Sequence, residues 1–286
     1  MLRLLARNNR STTLQWRALL FLALVAWPGY FACAEQPGYQ LGVFPHLAAG
    51  QLEKVFALVA SDFSKATGRP VALKTKPTFE AFMYELDKQT YDIAFVQPFD
   101  YVRARDKHGY ISLARRGEPL NGLFVVKPDS PLRTLEDTRG KIIGLPPEVA
   151  AVSHLAKMAL LQAKINLGKD VRLQHYKVHD TCLQQLLIGE IDVCATAAFP
   201  LRFFENEHKI KLKVLAETKT ISHSLFIVHP RISEKHRDAI LKAILSWPKT
   251  ESGRQILEKG QLKPFIAVTD AEYDTVREYS RKMQNK

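Results

Sequence analysis

YDIAFV, residues 91–96, runs through four apolar residues after Asp92 and stops at Gln97-Pro98. An apolar run without a polar face suits a strand buried on both sides, the usual environment of a parallel sheet. Working outward from it, FEAFMYELDKQ (79–89) sets Phe79, Phe82, Met83 and Leu86 at helical spacing. VALKTK (71–76) reads as a strand, and QLEKVFALVASDFSKATG (51–68) gathers Leu52, Val55, Phe56, Val59 and Phe63 on one helical face before Gly68. Residues 39–44 make a further short strand, ended by Pro45. Strand, helix, strand, helix, strand is the pattern of parallel βαβ units.

A second α/β series follows. Residues 127–134 form a Pro- and Ser-containing connector, TLED (134–137) opens a short capped helix, and KIIGL (141–145) begins a strand. Then come a helix near 154–164, strand VRLQHY (171–176), helix TCLQQLLI (181–188), strand IDVCAT (191–196), a helix through Phe203 and strand KLKVLAE (211–217). ISHSLFIVHP (221–230) is another strand, with helices near 238–245, 253–257 and 271–282 after it. No internal repeat is visible. The simplest arrangement is two α/β lobes joined by two crossings that make a hinge. Residues 35–125 form the first part of lobe 1, 126–221 form lobe 2, and 222–286 return to lobe 1.

Residues 1–34 have the three-part layout of a secretory signal: four arginines and no acid, the apolar run ALLFLALVAW, then Ala32-Cys33-Ala34 before Glu35. The run is short for a membrane span; acylation at Cys33 is the alternative reading. The whole chain carries +12, and removing the four arginines leaves +8. Its Lys and Arg residues are scattered rather than interleaved with aromatics, and an exported chain has little access to nucleic acid, so no such partner is expected. About 250 mature residues, enough for one large or two modest domains, are expected to be soluble and monomeric.

In open parallel sheets ligands bind beyond the carboxyl ends of strands, where helix N-termini favour anions. The post-strand segments here are Phe44-Pro45-His46, Gln97 through Tyr101, Pro146-Pro147-Glu148, Val178-His179-Asp180 and Ala195-Thr196-Ala197. If the lobes face one another, these five loops line the cleft between them.

DIAFVQPFDYVRA (92–104), GRPV (68–71), SPLRTLEDTRGKIIG (130–144) and HDTCLQQLLIGEIDVCA (179–195) together resemble the periplasmic phosphate/phosphite/phosphonate-type substrate-binding proteins of ABC transporters. The resemblance covers nearly the whole mature chain in order. It implies an α/β, two-lobed type II periplasmic-binding-protein fold with a hinge cleft, holding a small oxyanion-like ligand for delivery to an ABC transporter permease. Phe44, Gln97, Tyr101, Glu148, Ser153, His179, Asp180 and Thr196 are the candidate ligand-binding residues. Tyr101 would cover or hydrogen-bond the ligand, and His179 would donate to an oxyanion. The family's hydroxyl cluster after the first strand of the second lobe is replaced by PPEVAAVSH (146–154), which keeps only Ser153 and adds Glu148. A carboxylate facing a buried dianion is penalised, which favours a less charged ligand. Each residue also has a plain structural reading: Tyr101 as packing, Gln97 bonding backbone, Glu148 as a solvated helix start, His179-Asp180 as a loop and cap.

Cys182 and Cys194 remain open between three roles. A helix and an antiparallel strand of similar rise bring them to the same end, close enough for a disulfide. They could equally pack as free thiols, or offer soft ligands to a thiophilic species such as arsenite. There is no C-x-x-C, and neither a metal centre nor a cofactor is expected. A binding protein reporting to a sensor kinase and an exported enzyme using His179 are the rival readings; no catalytic residue is assigned.

Overall fold

The computed structural model describes residues 38–46 and 49–284; the signal segment and Cys33 lie outside the described residues. In chain order the first elements are β1 (Tyr39–Val43), α1 (Ala49–Thr67), β2 (Val71–Thr75), α2 (Phe79–Asp87), β3 (Ile93–Val96), α3 (Pro98–His108) and β4 (Ile111–Arg116). Then follow β5 (Leu123–Val126), β6 (Ile142–Leu145), α4 (Ala151–Gln162), β7 (Arg172–His175), α5 (His179–Ile188), β8 (Val193–Thr196), α6 (Ala198–His208) and β9 (Lys213–Glu217). The chain ends through β10 (Leu225–Val228), α7 (Glu234–Ser246), α8 (Glu251–Lys259), β11 (Phe265–Ala267) and α9 (Asp274–Gln284). Local chemistry sets several boundaries. The Thr78 hydroxyl accepts from the Ala81 N–H at the start of α2. Pro98 sits at the first turn of α3, and Gly109 closes that helix with φ 72°.

Two sheets result, ordered β11-β4-β10-β3-β1-β2 and β7-β6-β8-β5-β9. Each has three adjacent parallel strands and a fourth of the same direction beyond one antiparallel strand, β10 between β3 and β4 and β5 between β8 and β9, and the first sheet adds antiparallel β11 at its edge. This corrects the sequence boundary. β5 belongs to the second sheet, pairing Leu123 with both Thr196 and Glu217, so the chain leaves the first sheet within 117–122 rather than after 125. The Pro- and Ser-containing connector is a loop within the second lobe. An apolar tetrapeptide such as LFVV shows that it is buried, but not in which sheet. The return crossing lies between Glu217 and Leu225. The two crossings run side by side, with Leu120 and Ile221 exchanging both backbone hydrogen bonds at 2.9 Å.

The lobes are also a structural repeat that the sequence hides. α2, β3 and α3 recur as α5, β8 and α6 at an offset of 100 residues, with matching starts at 79/179, 93/193 and 98/198. Asp92 Oδ2 accepts from the Gln40 N–H at 2.7 Å, and Asp192 Oδ2 accepts from the Ile142 N–H at 2.9 Å. Gly42 and Gly144 hold equivalent places on β1 and β6. A Cβ on Gly42 would stand 2.4 Å from the Tyr91 ring, and one on Gly144 2.4 Å from Ile191 and 2.8 Å from Cys182 Sγ.

The first lobe packs a dense aromatic core, with Phe95 and Phe226 at 4.8 Å and Phe63 stacked on Trp247 at 6.1 Å. In the second lobe Phe124 and Phe204 are the fully buried aromatics of a mostly aliphatic core. Helix α4 bridges the two, because its Ala151, Leu155 and Met158 pack into the core of the first lobe.

Candidate functional site

A cavity of about 600 Å³ opens between the lobes. All five post-strand loops contribute to it, through Phe44, Pro45, His46, Gln97, Pro147, Val178, His179, Asp180 and Ala197. Of the sequence candidates, Phe44, Gln97, His179 and Asp180 therefore line the cleft, whereas Tyr101, Glu148, Ser153 and Thr196 do not.

Each of those four residues is engaged elsewhere. Tyr101 is fully buried; its hydroxyl donates to Asp270 Oδ1 and its ring meets Tyr273 edge-on at 4.8 Å, fastening α3 to the C-terminal segment. Ser153 is buried and donates to the Pro146 carbonyl at 3.0 Å, closing the β6–α4 loop. The Glu148 side chain is 72% exposed and pairs with Lys157 at 2.8 Å. It lies off the cleft wall, so the repulsion it was expected to impose on a dianion falls away. Thr196 stands behind His179, its Oγ1 2.9 Å from Nδ1. Burial pulls the His179 pKa down to about 4, leaving a neutral imidazole at neutral pH. Asp180, beside it, accepts from Gln184 Nε2 at 3.0 Å.

Gln97 joins the lobes. As the N-cap residue of α3 it has extended backbone; its Oε1 accepts from the Ala151 N–H at 2.9 Å, and its Nε2 donates to Asp100 Oδ2 at 3.2 Å. The first amide of α4 is thereby taken by the opposite lobe. Phe99 and His154 add a second contact across the gap, ring to ring at 4.6 Å. Asp100 is buried, and desolvation raises its pKa to about 7 against the opposing effect of the Gln97 hydrogen bonds.

Apart from Asp180, the charges of the cleft were missed in the sequence reading. Arg116, Lys177, Arg202 and Lys263 line it with Glu118, Asp180 and Glu207, leaving one positive charge in excess while the histidines are neutral. His223 also lines it, accepting from the Ser224 N–H at 2.7 Å. His46 donates from Nδ1 to the Phe44 carbonyl at 2.9 Å and stacks on the Phe44 ring at 4.4 Å. Burial lowers the His46 pKa to about 4 despite that carbonyl, with the Arg116 charge lowering it further. Burial likewise holds His223 well below its ordinary value, and Arg116 and His46 add to the shift. Strand direction places Arg116 and His223. β4 runs parallel to β3, so its carboxyl end at Arg116 reaches the cleft; β10 runs the other way, so the residues entering it do.

Cys182 and Cys194 form a disulfide with Cα atoms 5.9 Å apart. Both are fully buried and neither lines the cavity. The bond leaves no thiolate for a thiophilic ligand and ends the free-thiol reading as well. It fastens the first turn of α5, which carries His179, to β8, which carries Thr196.

The family model described as "ABC transporter, phosphonate, periplasmic substrate-binding protein" matches residues 41–273, both lobes and the hinge together. The chain belongs to this family. Phosphonate-family structures are also similar in fold. PhnD1 from Prochlorococcus marinus in complex with methylphosphonate superposes with a TM-score of 0.75 at 19% identity, covering 87% of this chain and 98% of that one. A binding protein component of an ABC phosphonate transporter from Pseudomonas aeruginosa gives 0.73 at 16% identity, covering 87% of each. The periplasmic aliphatic sulphonate binding protein SsuA from Escherichia coli gives 0.63 at 13% identity, covering 87% of this chain and 93% of that one. No curated protein matches the chain by sequence. The two-lobed type II architecture is thus the fold of this phosphonate-family chain, and membership makes it a substrate-binding transport protein.

Proposed function

We propose that this chain works in the periplasm as a monomer. It captures a phosphonate-class oxyanion between its lobes and presents the closed complex to the permease of an ABC importer, without chemistry. The observation that carries the reading is the charge of the cleft: four cationic side chains against three carboxylates, at the meeting point of five post-strand loops in a phosphonate-family fold. Neutral His179, with Nδ1 held at Thr196, is positioned to hydrogen-bond an oxyanion through its other nitrogen. Phe44 and Gln97 supply a wall and a lobe-to-lobe latch, and Asp180 lines the cleft beside His179 with its carboxylate held by Gln184.

Calorimetric titration of the exported protein with methylphosphonate, phosphite and phosphate tests this. Saturable binding of at least one, with phosphorus NMR showing the ligand unchanged after incubation, is the expected result. His179→Ala is expected to weaken binding about tenfold, the loss of one hydrogen bond to a charged group. Absence of binding to any phosphorus oxyanion would end the reading, and turnover would replace it with an enzyme.

A further inference from the structure

The end of the cleft where the resemblance expects hydroxyls lacks side-chain donors. Ala150, Ala151 and Val152 offer no side-chain donor, and the Ala151 amide is already bonded to Gln97 from the other lobe. The guanidinium groups stand elsewhere on the wall. Arg116, at the end of β4 in the first lobe, is half-buried; one of its nitrogens pairs with Glu118, but its buried Nε has no partner. Arg202, on α6 in the second lobe, has no carboxylate partner among the described residues. Arg116 and Arg202 thus line one cavity from opposite lobes; burial lowers the Arg116 pKa against the pull of Glu118, and the charge of Arg202 adds to that lowering. Closing two lobes on like charges is unfavourable unless an anion sits between them.

Beside these groups each lobe presents a pair of aromatic rings. Phe44 and Phe79 lie 6.0 Å apart on the first lobe, and Phe199 and Phe203 lie 6.5 Å apart on the second. A cavity of about 600 Å³ falls in the range of sites that enclose ligands of drug size, roughly 300–1,000 Å³. A methylphosphonate has only five non-hydrogen atoms and would leave all four rings uncovered.

We propose that the cleft selects an organophosphonate bearing an aromatic or similarly large apolar substituent, its acid group held between Arg116 and Arg202 and its substituent packed between the two phenylalanine pairs. This deepens the reading of the chain as a phosphonate-class binding protein and rests on it.

The test is calorimetry on the exported protein with phenylphosphonate, methylphosphonate, phosphate and benzenesulfonate. Phenylphosphonate is expected to bind at least about tenfold tighter than methylphosphonate, because covering the ring buries several additional carbons. Arg202→Gln, at an exposed position that folding does not need, is expected to weaken both phosphonates about tenfold or more. Phe199→Ala is expected to weaken phenylphosphonate while leaving methylphosphonate within about twofold. Methylphosphonate or phosphate binding as tightly as phenylphosphonate overturns this inference and leaves the broader reading standing. So does an unchanged phenylphosphonate affinity in Arg202→Gln. Tighter binding of benzenesulfonate overturns the phosphonate assignment of the acid group. If no phosphorus compound binds, the broader reading fails and takes this inference with it.

Discussion

The two lobes execute one plan at an offset of 100 residues and solve its packing problem differently. Where the first lobe has Phe82 on α2, stacked on Tyr91 at 5.3 Å, the second has Cys182 on α5. Where the first lobe has Ala94 on β3, the second has Cys194 on β8, and the two cysteines are bonded. The larger lobe also carries the C-terminal helices α7 to α9 and a continuous aromatic core, while the smaller one has an aliphatic core split over the two faces of its sheet. A small core buries little surface, and a covalent link compensates by restricting the unfolded chain. The same correspondence shapes the cleft. Phe79 and His179 occupy equivalent first positions of α2 and α5, one apolar and one polar, and both line the cavity.

That comparison can be broken at its strongest point first. Phe82→Ala removes a fully buried ring, and an expected cost of about 3–5 kcal/mol should appear as a lowered midpoint in chemical denaturation. The loss should be the same with or without reductant. Replacing both Cys182 and Cys194 by alanine is expected to cost about 2–4 kcal/mol. Reductant should lower the wild-type melting temperature and leave the double variant unaffected. Hydrogen exchange should rise mainly in α5 and β8; a uniform rise over both lobes would show that the disulfide does not act locally.

Titration tests both lobes next. His46 in the first and His179 in the second both have pKa values lowered to about 4 by burial. The unfolded chain then takes up protons before the folded one does, so their contribution is intact above pH 6.5 and is lost as the pH falls through 4. Asp100 runs the other way. Its pKa is raised to about 7, so its contribution is full below the ordinary carboxylate range and is lost as the pH rises through 7. Asp100→Asn is expected to gain about 3–4 kcal/mol on the wild type between pH 4 and pH 8, measured by urea unfolding at each pH. A constant difference across that range would refute the buried-carboxyl account. Smallest of all, Glu148→Gln removes an exposed pair with Lys157, and should change stability by about 0–1 kcal/mol. Phosphonate affinity in that variant should stay within twofold of wild type, since the residue stands off the cleft wall.

The legible part of the molecule is what local pattern can carry. The spacing of Leu52, Val55, Phe56, Val59 and Phe63 marked α1, and all five residues are buried. The apolar run Ile93–Val96 became a strand covered on both faces. Loops after parallel strands were correctly placed at the cleft because a strand's direction fixes which end its following loop occupies. The errors came from long-range pairing. LFVV is equally apolar in either sheet, and only its partners at Thr196 and Glu217 assign it to the second. Tyr101 and Ser153 are polar residues near a cleft loop, yet each satisfies its hydroxyl away from the ligand space. The repeat escaped notice because its pairs, such as Phe82 and Cys182 or Phe79 and His179, keep burial or position without keeping chemistry.

By itself, then, the sequence determined the alternation of strands and helices, the paired lobes they imply and the family to which the chain belongs, because periodicity and short motifs are local properties. The tertiary structure alone decided where the lobes divide, how the cysteines are joined and which side chains share the cleft. Arg116 and His223 are 107 residues apart in the chain, and meet only because β4 and β10 run in opposite directions in one sheet. A contact of that kind depends on strand order and direction, which no single segment encodes.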